Sequence, residues 1–182
     1  ECMALVSRGI EDVACMEIAE ITGAKCRQGE GCVLFSAKSM KDIFKISYRA
    51  QSISRAILLL GSFEFKDFED ISKKIKGIPV PSKPKIRKFA VKCKREGPHD
   101  FSSADVEKEL AKHIEKKLGA KQDFREFELM FFCYIQSNNL YFGIDFAGLE
   151  LHKRQYKIYA QSSSLRCTIA YALARLSGFK KG

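Results

Sequence analysis

The sequence has no apolar run longer than seven residues, the stretch Leu129 to Ile135. A helix that crosses a bilayer needs about 20, so a helical membrane span is excluded. The first residues, Glu1-Cys2-Met3-Ala4-Leu5-Val6, lack the basic start and apolar length of a signal peptide. There is no CxxC pair. The seven cysteines, at 2, 15, 26, 32, 93, 133 and 167, have no nearby pair of histidines, so the tight two-by-two spacing of a zinc site is missing. Free thiols in a reducing cytoplasm are the expectation. No Gly-x-Gly-x-x-Gly, no Gly-x-x-x-x-Gly-Lys and no Gly-x-Ser-x-Gly occurs, and the histidines at 99, 113 and 152 are far apart. No catalytic residue, metal ligand or cofactor cradle is therefore assigned. Proline is scarce too, and three of the four fall at 79, 81 and 84, which marks a loop there.

Acid is in deficit. The 182 residues carry 32 Lys and Arg against 22 Asp and Glu, a formal charge of +10. The excess is uneven, at +1 for residues 1–60, +6 for 61–122 and +3 for 123–182. With 46% hydrophobic residues and 14 Phe the chain is a globular one, not a disordered polycation. A localised positive surface on such a chain points to a polyanionic partner.

Periodicity gives the elements. Residues 2–6 read as a buried strand. Ile10, Val13, Ala14, Ile18 and Ile21 form a helical stripe that leaves Glu11, Asp12, Glu17 and Glu20 off it, and Gly23 is a stop. Gly29-Glu30-Gly31 turns a hairpin into Cys32–Phe35. A second helix starts at Ser39, with Asp42 in capping-box spacing and Met40, Ile43, Phe44 and Ser47 on one face. Arg55–Leu60 reads as a strand. This β-α-β-β-α-β order is that of a split-βαβ, ferredoxin-like unit. A third helix follows, with Phe68, Ile71, Ile75 and Ile78 in line. Next comes a strand with Phe89, Val91 and Cys93 on one side and Lys88, Lys92 and Lys94 on the other. Ser102 and Asp105 open a helix striped by Val106, Leu110, Ile114 and Leu118, which Gly119 ends; His113 falls on its solvent flank. Three strands are expected at 127–136, 140–147 and 150–158, and a last helix has Leu165, Ile169, Leu173 and Leu176 in line. The fold class is α+β.

Two basic clusters stand out. The first is Lys83, Lys85, Arg87, Lys88, Lys92, Lys94 and Arg95, leading into Gly97-Pro98-His99-Asp100-Phe101-Ser102-Ser103. It reads either as a solvated strand face or as a phosphate-binding surface. Ser102 and Ser103 open a helix N-terminus, a natural anion site. His99 and Phe101 are placed to stack on unpaired bases; Phe101 reads equally as a staple under the helix start. The second cluster is His152, Lys153, Arg154, Tyr156 and Lys157, which reads as a binding strand or as an ordinary edge strand.

The segment Lys94-Arg95-Glu96-Gly97-Pro98-His99-Asp100-Phe101-Ser102-Ser103, followed by Leu151-His152-Lys153-Arg154-Gln155-Tyr156, resembles the THUMP domain of RNA methyltransferases that act on N2 of guanosine in tRNA or ribosomal RNA. Ser7–Ile18 and Tyr48–Ala56 are similar to the N-terminal part of the same group. The resemblance implies a ferredoxin-like domain at 1–65, THUMP at 66–160, and a linker and helix at 161–182 leading to a methyltransferase domain. It implies binding of tRNA, or of another structured RNA, at the acceptor stem and 3′ end. Lys94, Arg95, His99, Ser102, Ser103, Lys153 and Arg154 are the RNA-facing residues it carries over; the cations at 83–88 are added from charge alone, and Lys92 belongs to the same basic cluster. In that group an acidic-Pro-x-x-Gly-x-Gly loop holds S-adenosylmethionine. These residues have none, so the expectation is the RNA-binding half of a longer cytoplasmic protein, inactive by itself and without its own cofactor. A stand-alone THUMP adaptor and the N-terminal domain of a DNA adenine methyltransferase are the alternatives.

Overall fold

A computed structural model describes residues 1–82, 85–147, 151, 153 and 164–178. Among them are eight strands and five helices, divided between two compact units: Glu1–Leu58 with Phe146–Gly182, and Leu59–Asp145.

In the first unit the elements run β1 (Cys2–Val6), α1 (Glu11–Thr22), β2 (Cys26–Gly29), β3 (Cys32–Phe35), α2 (Met40–Arg49) and the start of β4 (Ile53–Glu64), so the expected βαββαβ order is present. The strand order is β2-β3-β1-β4 with every neighbour antiparallel, and β3 therefore lies between β1 and β2. Both ends of α1 follow from local chemistry. Glu11 accepts the Gly9 and Gly31 amides at 2.7 and 2.9 Å. Gly23 adopts φ +69 and returns its N–H to Ala19 O, a left-handed cap that glycine takes at least cost. The core is built from Ala4, Val6, Ala14, Ile18, Val33, Phe35, Ile43, Ile46 and Ile53.

Three expectations for this unit are corrected. Glu17 is buried, at 4% exposure, because its carboxylate accepts the Gln51 and Ser52 amides at 2.8 and 2.9 Å and the Ser52 hydroxyl. On α2 the inward residues are Ile43 and Ile46, while Met40 and Phe44 face solvent. The last helix, α5 (Cys167–Leu176), buries Thr168 and Ala172 and leaves Leu173 and Leu176 exposed, and Leu165, exposed as well, precedes it. Ala172 is small enough to sit directly on Ile10 and Val13 of the α1 region, and Arg175 then reaches Glu20.

The second unit contains α3 (Phe68–Ile75), β5 (Lys88–Glu96), α4 (Ser103–Leu118), β6 (Lys121–Gln122), β7 (Leu129–Gln136) and β8 (Asn139–Asp145), in the order β8-β7-β5-β6. β5 runs parallel to both β6 and β7, and β7 is antiparallel to β8. Phe89, Ala90 and Val91 are buried on both faces of β5, as a parallel strand between two others requires. Val106, Leu110, Ala111 and Ile114 are the buried stripe of α4. His113 is buried as well, against expectation, at 8% exposure. Its Nε2 donates to Ile78 O at 3.0 Å and so satisfies a carbonyl at the end of the α3 turn. The short β6 has no signal in the sequence. The strand expected at 150–158 lies outside the described residues except for Leu151 and Lys153, which are not in a strand.

Candidate functional site

The site begins where β5 ends. Gly97 has φ +110, a conformation that residues other than glycine adopt only under strain, and a Cβ there would lie in ordinary contact with His99 Cε1 at 3.4 Å and Ser137 at 3.7 Å. The tight passage lets the chain fold back over the turn between β7 and β8. Ser137, in the left-handed region at φ +48, gives its N–H to Glu96 O at 3.1 Å. His99 Nε2 donates to Ser137 O at 2.8 Å, and Arg95 Nη1 donates both to Gly97 O at 3.1 Å and to His99 Nδ1 at 3.0 Å. The two His99 contacts are satisfied together by the neutral ring with its proton on Nε2.

Above this knot lies an aromatic cluster. Phe101 is 5.0 Å from His99, 5.9 Å from Phe65 and 5.5 Å from Phe68, centroid to centroid, and the Arg95 guanidinium stands 5.9 Å from its ring. With Lys66, Asp67, Pro98, Asp100 and Asn138 these rings line a cleft of about 440 Å³. The sequence marked His99 and Phe101 but not Phe65, Phe68 or Asn138. Phe65-x-x-Phe68 just ahead of α3 was the available signal, and the Asn138 carbonyl accepts the Phe65 amide at 2.9 Å.

The expected cations separate into three groups. Some are already neutralised. Lys88 contacts Asp123 at 3.0 Å and Glu126 at 2.7 Å. The Glu126 amide, the Lys88 ammonium and the Arg125 amide together hold the Asp123 carboxyl down at about 2. Lys94 pairs with Glu96 at 2.6 Å and lies over the Tyr134 ring, whose hydroxyl donates to Glu96. Arg95 is turned inward into the loop, where its guanidinium bonds Gly97 O and His99 Nδ1. A second group is open. Lys85, Arg87 and Lys92 are exposed, and their charged ends have no partner among the described residues. The third group is at the margins: Lys153 is exposed, and Lys83 and Arg154 lie outside the described residues.

Ser102 acts first as a cap. Its N–H and hydroxyl donate to Asp105 Oδ2 at 2.9 and 2.6 Å, and its Oγ accepts the Asp105 amide. These bonds hold the Asp105 carboxyl below its usual range. Ser103 follows as the first helical residue, half-buried. The helix end thus carries its own anion, and an incoming phosphate there meets Asp105 as a competitor. Among the described residues no three His, Cys, Asp or Glu gather as a metal site.

A family model described as the THUMP domain matches residues 65–145. The tRNA (guanine(6)-N2)-methyltransferase of Methanocaldococcus jannaschii is 28% identical over 96% of this chain and 49% of its own length. The enzyme of the same name from Archaeoglobus fulgidus is 26% identical over 97% and 47%. The chain spans about half the length of the curated relatives it matches. Among solved structures, a protein from Listeria monocytogenes described as a predicted N6-adenine-specific DNA methylase superposes with a TM-score of 0.77 at 22% identity, covering 98% of this chain and 48% of that one; at that identity the likeness is one of fold. The Gly97 knot, the aromatic cleft and the open cations Lys85, Arg87 and Lys92 all fall inside residues 65–145, the segment that matches the THUMP domain.

Proposed function

We propose that this chain captures tRNA by its acceptor stem and 3′ end for an S-adenosylmethionine-dependent methylation of guanosine N2. The observation that carries the reading is the similarity to tRNA (guanine(6)-N2)-methyltransferases along 96% of the chain. The open cations Lys85, Arg87 and Lys92 support it, since cations without acidic partners are free to displace counterions from phosphates. In this reading Lys83, Lys88, Lys94, Arg95, Lys153 and Arg154 extend the positive track. Lys88 and Lys94 exchange a carboxylate for a phosphate as RNA arrives. Ser102 and Ser103 offer the start of α4, and His99 with Phe101 forms the edge on which an unpaired base rests. The domain division is 1–65, 66–160 and 161–182, the first part ferredoxin-like, and the protein works in the cytoplasm. S-adenosylmethionine supplies the methyl group. The acidic-Pro-x-x-Gly-x-Gly loop that holds it is not in these 182 residues, so no step of methyl transfer is drawn through them.

Filter binding tests this reading, with whole tRNA and with tRNA trimmed of its single-stranded 3′ end, each at two salt concentrations. The expected result is weaker binding to the trimmed form and a steep loss of affinity with salt. Equal binding to both forms overturns end recognition.

A further inference from the structure

Residues 1–60 carry a net charge of only +1, yet half of their eight cations crowd into twelve residues: Lys38, Lys41, Lys45 and Arg49. The single acid among them, Asp42, is turned inward and buried, accepting the Lys38 and Ser39 amides at 3.0 and 3.2 Å. Lys45 approaches it no closer than 4.0 Å. The charged ends of Lys41 and Arg49 have no partner among the described residues, and both residues are exposed.

Lys41, Lys45 and Arg49 stand at i, i+4 and i+8 on α2, so they form one ridge with about 6 Å of rise between members. Beside it runs a second ridge with the same spacing: Met40 at 42% exposure, Phe44 at 52% and Tyr48 at 86%. Phe146 holds Phe44 edge-on, with centroids 5.4 Å apart and planes at 82°, which fixes the ring while leaving half of it open. A helix face that merely meets water has no cause to expose three large apolar groups in line. The core of a protein–protein interface is depleted in the charges that fill the adjoining ridge. A row of cations beside a row of open rings matches a chain with phosphates on one side and bases on the other.

We propose that the solvent face of α2 is an RNA-binding surface, on which Lys41, Lys45 and Arg49 hold backbone phosphates and Tyr48 and Phe44 stack on unpaired bases. The inference rests on the reading of the chain as an RNA-binding protein. It assigns to the first unit a share of that binding.

The test uses the full chain and whole tRNA in filter binding across a salt series, with unfolding curves for each variant. The triple variant Lys41→Ala, Lys45→Ala, Arg49→Ala is expected to bind about tenfold more weakly, with a log–log salt slope shallower by roughly 2. Tyr48→Ala alone is expected to lose roughly fivefold in affinity. Because all four side chains are exposed, the unfolding midpoints stay unchanged. Ultraviolet cross-linking to tRNA should place an adduct on Tyr48. If the parent chain binds tRNA and the triple variant binds it equally well with the same slope, the α2 surface is overturned while the RNA reading stands. If the parent chain binds no tRNA, both fall. Loss of binding to anionic phospholipid vesicles by the triple variant, with tRNA affinity intact, overturns the proposal in favour of a membrane surface.

Discussion

The Glu17 carboxylate on α1 accepts the Ser52 amide at 2.9 Å across 35 positions of chain, from inside the first unit. It takes the Gln51 amide and the Ser52 hydroxyl as well, so one buried acid closes the link between α2 and β4. Glu17→Ala leaves three donors without an acceptor. Stability should fall by about 3 kcal/mol, read from urea unfolding. Ser52→Ala should cost less and be largely non-additive with it, because both act on one cluster.

Arg95→Ala removes the donor to Gly97 O and His99 Nδ1. Thermal unfolding should show a loss of about 1–2 kcal/mol. Arg95→Lys should not restore it, since an ammonium on a flexible stem lacks the planar guanidinium that holds Nη1 against both acceptors and faces Phe101. A change in RNA affinity with no loss of stability would refute the knot as described.

Lys92 and Lys88 lie on the same strand yet should behave differently. Lys92→Ala, at an open cation, should leave the unfolding midpoint alone and reduce the salt slope of tRNA binding by about 0.7–0.9. Lys88→Ala should alter stability first, because Asp123 and Glu126 lose their counter-charge.

Asp123 gives a pH signature. Its carboxyl is held at about 2 in the folded chain, against 3.8 ordinarily. The folded value is the lower one, so the contribution is fully present above about pH 4 and disappears as the pH falls toward 2. Unfolding midpoints measured from pH 2 to 5 should therefore differ between the parent and Asp123→Asn at the upper end and converge at the lower.

The elements whose apolar residues outweigh their neighbours were legible from sequence. α4 shows Val106, Leu110 and Ile114 at helical spacing and buries them, and Ser102 and Gly119 bound it as read. α2 and α5 misled for a common reason. Counting the largest apolar side chains favoured Phe44 and Leu173, but close contact of a helix with its neighbour is decided by shape, and the smaller or branched Ile46 and Ala172 sit inside. His113 was missed because periodicity places a residue on a flank without showing that a carbonyl waits there. At the candidate site, counting charge found the cations of β5 but not their partners. Asp123 and Glu126 are 35 and 38 positions from Lys88, and only the fold brings them to it.

The ladder between β5 and β7 joins Phe89 to Leu129, Val91 to Phe131 and Arg95 to Ile135, the same 40-residue offset at each rung. No rung can form until the chain has closed that loop, and half of the chain between the two strands is α4. Assembly of the second unit should accordingly be governed by long-range contact order, with α4 winding early and the strands joining late. Lengthening the 119–128 connection should slow refolding while changing equilibrium stability little, since closure entropy grows only logarithmically with loop length.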